Sequence, residues 1–181
     1  MKKAFTILAA SEIDNPQRFG VVSEYQDWVE GVAAVCRKHF DALYFIPDRG
    51  TYVDFSQAFK KLGGTIYAVL PDSRDRRLLN NSERLGAIPY ELKDGSGWNY
   101  LNTHFIGLAE YSVCLSYSPG SLLEMCSAKY LKRYDSKKIS IFIDKRGVSQ
   151  ELPEELADDL SPIYYFTSDE ELNNLLTERV K

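Results

Sequence analysis

Apolar residues along this chain gather in short runs, and between the runs they recur every three or four positions. The runs read as strands and the recurring positions as helix faces. Ala4–Ala10, AFTILAA, is a near-continuous apolar run, as a parallel strand buried on both faces requires. Ala42–Ile46, Thr65–Leu70, Val113–Leu115, Ile139–Ile143 and Ile163–Phe166 repeat the pattern, and Ile88–Leu92 is a weaker candidate. Tyr25–Phe40 places Trp28, Val29, Val32, Ala33, Cys36 and Phe40 along one helical face. Phe55, Ala58, Phe59 and Leu62 form an i, i+3, i+4, i+7 stripe that Gly63-Gly64 ends. Trp98–Glu110 carries Leu101, Phe105 and Leu108 on one side, and Glu151–Leu160 reads as a short acidic helix. Ser168-Asp169-Glu170-Glu171 opens a terminal helix with a capping box. The stretch Asp72–Gly97 is the least regular.

Strands that alternate with helices imply an α/β fold: one doubly wound, mostly parallel, Rossmann-like sheet with helices on both faces. No linker, repeat or low-complexity tract interrupts residues 1–181, so one domain is expected. Ligands of such sheets sit beyond the carboxyl ends of the strands. The turns Ser11–Asn15, Asp48–Gly50 and Ser118–Ser121 are expected to converge there.

The stretch Ser112–Tyr130, SVCLSYSPGSLLEMCSAKY, reads as strand, tight turn and helix. Pro119 removes a backbone donor and Gly120 permits a positive φ, so the chain can turn sharply. Leu122, Cys126 and Tyr130 recur on one helical face. A turn of this kind leaves backbone N–H groups and a helix N-terminus free for an anion, phosphate above all. Gly120 and Ser121 are the candidate cradle. The same residues also read as a capping box, with Ser121 as the cap and Glu124 reaching back to an N–H.

Composition narrows the function classes. The chain has 181 residues, 44% apolar and 27% charged, with a net charge of −4 and a pI near 5.3. An acidic balance argues against a general nucleic-acid surface but not against a small anionic ligand. MKKAFTILAA lacks the length of a signal-peptide apolar region, and no run is long enough to span a membrane. Cys36, Cys114 and Cys126 show no zinc spacing, and an odd count argues against a disulfide framework. All three are expected to be buried thiols in a reducing cytoplasm, with no metal and no cofactor.

Gly63-Gly64-Thr65-Ile66-Tyr67-Ala68-Val69-Leu70-Pro71 resembles the GGxVxGVIP segment of the LOG family, once labelled lysine decarboxylases. Some fifty residues on, that family carries PGGxGTxxE at a strand-to-helix turn; here Pro119-Gly120-Ser121 stands in its place and Glu124 follows. The resemblance covers about residues 4–145 and extends to the wider SLOG superfamily, which includes nucleotide-binding domains without enzymatic activity. It implies a Rossmann-like fold, a homodimer formed through helices flanking the sheet, and a phosphate held at the glycine-rich turn. Family enzymes hydrolyse the N-glycosidic bond of nucleoside 5′-monophosphates with a motif Glu and an Arg on the preceding helix.

This chain departs from that pattern. Between Asp94 and Ala128 it has no Lys and no Arg; the helix that should bring them offers Asn99, Asn102, Thr103 and His104. The second Gly–Thr step is missing, and Glu124 lies closer to the proline than the family's Glu does. Loss of a fixed cation removes a large electrostatic contribution from a charged transition state. The expectation is therefore a binder of a nucleotide or nucleotide-derived ligand that does not hydrolyse it. Ser11, Arg49, Gly50, Ser118, Gly120 and Ser121 are the expected contacts, and the Arg74–Arg77 cluster is a further source of positive charge. The alternative is an N-glycoside hydrolase or transferase in which Glu124 is catalytic. A third reading takes the turns as merely capped, in a structural or interaction protein.

Overall fold

The computed structural model describes residues 3–10, 22–71, 75–92, 96–135, 138–148, 150–160 and 162–180, with no side-chain detail at 22–23 and 132–135. The strands are β1 (Ala4–Leu8), β2 (Ala42–Phe45), β3 (Thr65–Leu70), β4 (Ile88–Glu91), β5 (Tyr111–Cys114), β6 (Ser140–Asp144) and β7 (Ile163–Phe166). The helices are α1 (Val22–His39), α2 (Thr51–Lys61), α3 (Arg76–Leu85), α4 (Trp98–His104), α5 (Pro119–Asp135), α6 (Glu154–Leu160) and α7 (Asp169–Arg179). One turn of 3-10 helix, Phe105–Leu108, joins α4 to β5.

All neighbouring strands pair in parallel, in the order β4-β3-β2-β1-β5-β6-β7. The chain starts in the middle at β1, steps outward to β4, then crosses back to lay β5 on the other side of β1. The reversal between β1 and β5 is a topological switch point, where the connecting loops diverge to opposite faces and leave a crevice.

Alternation along the strands feeds two cores. Phe5, Ile7, Val113 and Leu115 face the layer of α1, α2 and α7, where Phe5 stacks on Phe40 at 4.7 Å and meets Phe59 edge-on at 5.4 Å. Leu8, Cys114, Ile141 and Ile143 face α4, α5 and α6 through Leu101, Phe105, Met125 and Leu160. Each such fully buried side chain contributes about 1.5–3 kcal/mol of transfer free energy. Two cores on a continuous apolar sheet explain why the strands read as unbroken runs rather than alternating ones.

Three local expectations are corrected. The irregular stretch contains a helix, α3: Asp75 caps it by accepting from the N–H groups of Arg77 and Leu78, and Gly86, at φ 57°, closes it. The helix expected over Trp98–Glu110 stops at His104 and tightens into the 3-10 turn. The buried face of α5 runs through Ser121, Glu124, Met125 and Ala128, whereas Leu122 and Cys126 are half-buried and Tyr130 is 58% exposed. Cys126 is thus not the buried thiol expected, unlike Cys36 and Cys114. Among the described residues no helix is long and apolar enough to cross a membrane.

Candidate functional site

Backbone and side chain meet closely at the switch point. Leu115 N–H donates to the Leu8 carbonyl at 2.8 Å, extending the β1–β5 ladder one step past the strands. The Ala10 N–H then donates to Ser116 Oγ at 2.8 Å. Helices α2 and α5 begin on either side of this seam. Both return against the strands, so both present the positive ends of their dipoles at the carboxyl edge.

The start of α5 is a reciprocal cap one step earlier than the sequence suggests. Ser118, not Ser121, is the cap: its Oγ accepts from the Ser121 N–H at 3.1 Å. Ser121 Oγ in turn accepts from the Ser118 N–H at 2.7 Å and lies 3.1 Å from the Ser118 carbonyl. Pro119 fills the first helical position, where its missing donor costs nothing. Ser121 is fully buried and its N–H is engaged. The N–H of Gly120 meets no acceptor among the described residues. Gly120 does not use the left-handed backbone expected of it: among the described residues that conformation belongs to Gly50, Gly63, Gly86 and Gly97.

Gly50 is the glycine whose conformation shapes the site. At φ 61° and ψ −137° it turns the chain from β2 into α2, and it offers no side chain as a cap. Its carbonyl accepts from Val53 and Asp54. The N–H groups of Thr51 and Tyr52 are left with no acceptor among the described residues. Tyr25 from α1 pins this first turn, its hydroxyl lying 3.1 Å from Thr51 Oγ1 and donating to Asp54 Oδ2 at 2.9 Å.

Between the two helix starts lies a buried acid. Glu124 is 1% exposed, and the Tyr52 hydroxyl is its hydrogen-bond partner at a long 3.5 Å to Oε2. Burial pushes its carboxyl up from 4.5 to about 8, against the smaller opposing pull of Tyr52. Tyr52 is raised well above its ordinary value, by burial first and by the negative charge of Glu124 second, while the Ala9 backbone opposes the shift. The Cys114 thiol is likewise raised by burial and then by Glu124. Glu124 is therefore not the capping-box partner that its S-x-x-E spacing suggests. Its burial beside Tyr52 favours the neutral form of the carboxyl.

Among the described residues no Lys or Arg is hydrogen-bonded or ion-paired to Glu124, and Arg146, Arg77, Arg49 and Arg76 are placed as follows. Arg146 forks onto the fully buried Asp144, with Nε to Oδ1 at 2.9 Å and NH2 to Oδ2 at 2.8 Å, and reaches Asp169 at 2.8 Å. Trp28 Nε1 donates to the same Asp144 at 2.8 Å. Arg77 pairs with Asp48 on the β2–α2 turn, and Asn81 donates to the carbonyls of that turn, so α3 braces it from outside. Arg49 is exposed on the same turn, and Arg76 is exposed at the start of α3. His104 stacks on Tyr100 at 3.9 Å, with Nδ1 against the Tyr100 carbonyl, as a surface histidine with a local role does.

Of the residues expected to bind, Gly50, Ser118, Gly120 and Ser121 lie at the two helix starts flanking the seam, and Glu124 lies between them. Ser11 and Arg74 fall outside the described residues, as does the turn Ser11–Asn15. Sequence reasoning missed Thr51 and Tyr52; the available signal was Gly50, a residue without a capping side chain directly before a helix. Among the described residues no group of three His, Cys, Asp or Glu side chains is placed to hold a metal.

No family model and no curated protein matches the sequence. Solved structures do match. The structural-genomics target TM1055 superposes with a TM-score of 0.69 at 16% identity, covering 97% of this chain and 99% of its own. The molybdenum cofactor binding protein of the phototrophic bacterium Rippkaea orientalis gives 0.68 at 15% identity, covering 100% and 99%. DNA processing protein A of Streptococcus pneumoniae gives 0.57 at 12% identity over 100% of this chain and 62% of its own. At these identities the likeness establishes the fold, a Rossmann-like parallel sheet with helices on both sides.

Proposed function

We propose that this chain binds a nucleotide or nucleotide-derived ligand at the β1–β5 crevice and does not hydrolyse it, as a SLOG-type, LOG-like domain. The observation that carries this reading is the pair of helix starts at the switch point. They offer the N–H groups of Thr51, Tyr52 and Gly120 to an anion, and a buried acid stands between them. Backbone donors and two helix dipoles can hold a phosphate without a dedicated cation. Ser118 and Ser121 shape the turn, and Arg49 and Ser11 complete the proposed contacts from the turns after β2 and β1. The likeness to the molybdenum cofactor binding protein of Rippkaea orientalis supports ligand binding on this fold.

The absence of hydrolysis rests on charge. The segment Asp94–Ala128 supplies no cation, and Arg146 is committed to Asp144 and Asp169. One observation favours a second reading. A carboxyl raised to about 8 suits a general acid that protonates a departing base, which is what an N-glycoside hydrolase or transferase needs. A cytoplasmic homodimer belongs to the first reading; Trp98 on α4 and Leu123 and Tyr130 on α5 offer exposed apolar surface for a second copy.

A thermal-shift screen over nucleoside mono- and diphosphates, cyclic nucleotides, nicotinamide derivatives and ribose 5-phosphate tests the proposal. A ligand at 100 times its dissociation constant adds about 2.7 kcal/mol of stability, a readily measured rise. A flat response across the whole panel leaves the turns as mere caps and overturns the reading.

A further inference from the structure

We infer that the free edge of β7 is a pairing surface for a second copy of this chain, which joins it antiparallel across a two-fold axis at Tyr164 and continues the sheet. The inference does not rest on the nucleotide reading, and the contact is separate from the helical one at α4 and α5.

An open sheet has two edges, and in this chain they differ. β4 forms one. It carries Pro89, which has no N–H to offer a further strand, and Glu91, whose charge would be pressed against an incoming chain. β7 forms the other. Its residues Ile163-Tyr164-Tyr165-Phe166 include no charge, no proline and no glycine. Isoleucine and the aromatic residues are the types that pair well in sheets. Ile163, Tyr164 and Tyr165 are each only half-buried, so solvent still reaches the strand.

The β6–β7 ladder fixes which main-chain groups are spare. The Ile141 N–H donates to the Pro162 carbonyl at 3.0 Å, and the Lys145 N–H to the Phe166 carbonyl at 2.8 Å. Pro162 and Phe166 therefore turn their main-chain groups to β6, as does Tyr164 between them. Alternation turns those of Ile163 and Tyr165 to the free edge. There they meet no partner among the described residues. The spare run ends at Thr167, whose N–H and hydroxyl donate to Glu171 Oε2 at 2.7 and 2.9 Å. This short pattern is self-complementary. A two-fold axis at Tyr164 sets Ile163 against Tyr165 of the second copy, and the reverse, and each pair exchanges two hydrogen bonds. The charges beside the axis agree with it. The Arg179 guanidinium lies 5.1 Å from the centre of the Tyr164 ring, and Glu178 Oε2 lies 3.9 Å from that guanidinium. Each copy thus brings one cation and one carboxylate, and the cation of one can meet the carboxylate of the other. Four residues a side fall short of the about 1,200–2,000 Å² of a stable interface, so the dimer is weak and forms at high concentration.

The experiment is amide hydrogen exchange of the full 15N-labelled chain, read by NMR at about 20 μM and about 1 mM, with sedimentation velocity at the same concentrations. At the higher concentration the chain should sediment as a monomer–dimer mixture. The Ile163 and Tyr165 amides should then exchange at least about threefold more slowly than at the lower one. Ile163→Pro, which deletes one spare donor, should sediment as a monomer at both concentrations. Tyr130→Glu, on the helical surface, should leave the concentration dependence at β7 intact. The comparison of two concentrations on the unaltered chain needs no variant, so a misfolded Ile163→Pro leaves the test intact. Fast exchange at both concentrations means that no second copy pairs with the edge, and overturns the inference. Slow exchange that does not change with concentration overturns it too, since the chain then covers its own edge. A dimer that survives in Ile163→Pro and is lost in Tyr130→Glu places self-association at the helices and overturns it as well.

Discussion

Replacing Glu124 by Gln should cost stability near pH 4, and the difference should turn in its favour as pH rises, to a net gain above about pH 8. Glu124 is an acid whose folded-state value, about 8, lies above its ordinary 4.5, so between these values the folded chain holds a proton that the unfolded chain has released. Stability must then fall as pH rises through that window. The full cost is absent below about pH 4, reaches about 3 kcal/mol by pH 7 and levels off near 5 kcal/mol above about pH 8. Gln keeps a similar shape and an oxygen for the Tyr52 hydroxyl, but it has no proton to lose. Its amide leaves an unsatisfied N–H, a constant offset of about 1–3 kcal/mol that does not depend on pH. The assay is urea unfolding of both chains at several values between about pH 4 and pH 9, followed by the fluorescence of the buried Trp28. Subtracting one curve from the other cancels every other titrating group. The difference should grow by about 3 kcal/mol from pH 4 to pH 7, and parallel curves would refute the claim that Glu124 is buried and neutral.

Gly50→Ala forces a side chain into the left-handed region at φ 61° and should cost about 1–3 kcal/mol; an unchanged unfolding midpoint would mean that α2 can start another way. Gly120→Val faces only an ordinary contact, Ser118 Oγ 3.7 Å from the added carbon, so the chain should fold while ligand-induced stabilisation disappears. Undiminished binding by that variant removes the turn from the site. Ser118→Ala strips the cap of α5 and should lower stability by about 0.5–2 kcal/mol; an unchanged unfolding midpoint would mean that Ser118 does not cap it. Incubation with a panel of nucleoside 5′-monophosphates should release no free base; robust release that falls at least about 100-fold in Glu124→Gln would promote the hydrolase.

Much of this architecture was legible in the sequence because a parallel sheet buried on both faces writes itself as apolar runs. Ala4–Leu8, Thr65–Leu70 and Ile163–Phe166 needed no other cue. What escaped has a common cause: polar residues in buried or capping positions. Helix α3 hides behind Arg76-Arg77 and Asn80-Asn81, although Asp75 and Gly86 mark its ends. The buried face of α5 includes Ser121 and Glu124, so apolar periodicity pointed instead to Leu122, Cys126 and Tyr130. Two overlapping boxes begin at Ser118 and Ser121. Which one caps the helix depends on where the chain leaves β5, a tertiary fact. The donors of Thr51 and Tyr52 were invisible for the same reason, since a helix start without a cap is recognised by what is missing from it. The depth of Glu124 follows from packing between α2 and β5 and has no sequence signature of its own.

The most direct test of a nucleotide site at the β1–β5 crevice is to watch the backbone amides themselves. In two-dimensional NMR of the uniformly 15N-labelled chain titrated with AMP, the largest shifts should fall on Ala10, Thr51, Tyr52, Gly120 and Ser121, at the two helix starts and just past the end of β1. Shifts centred instead on the groove between α1 and α2, at Gln26, Glu30, Gln57 and Lys61, would contradict it, as would a spectrum that AMP leaves unchanged.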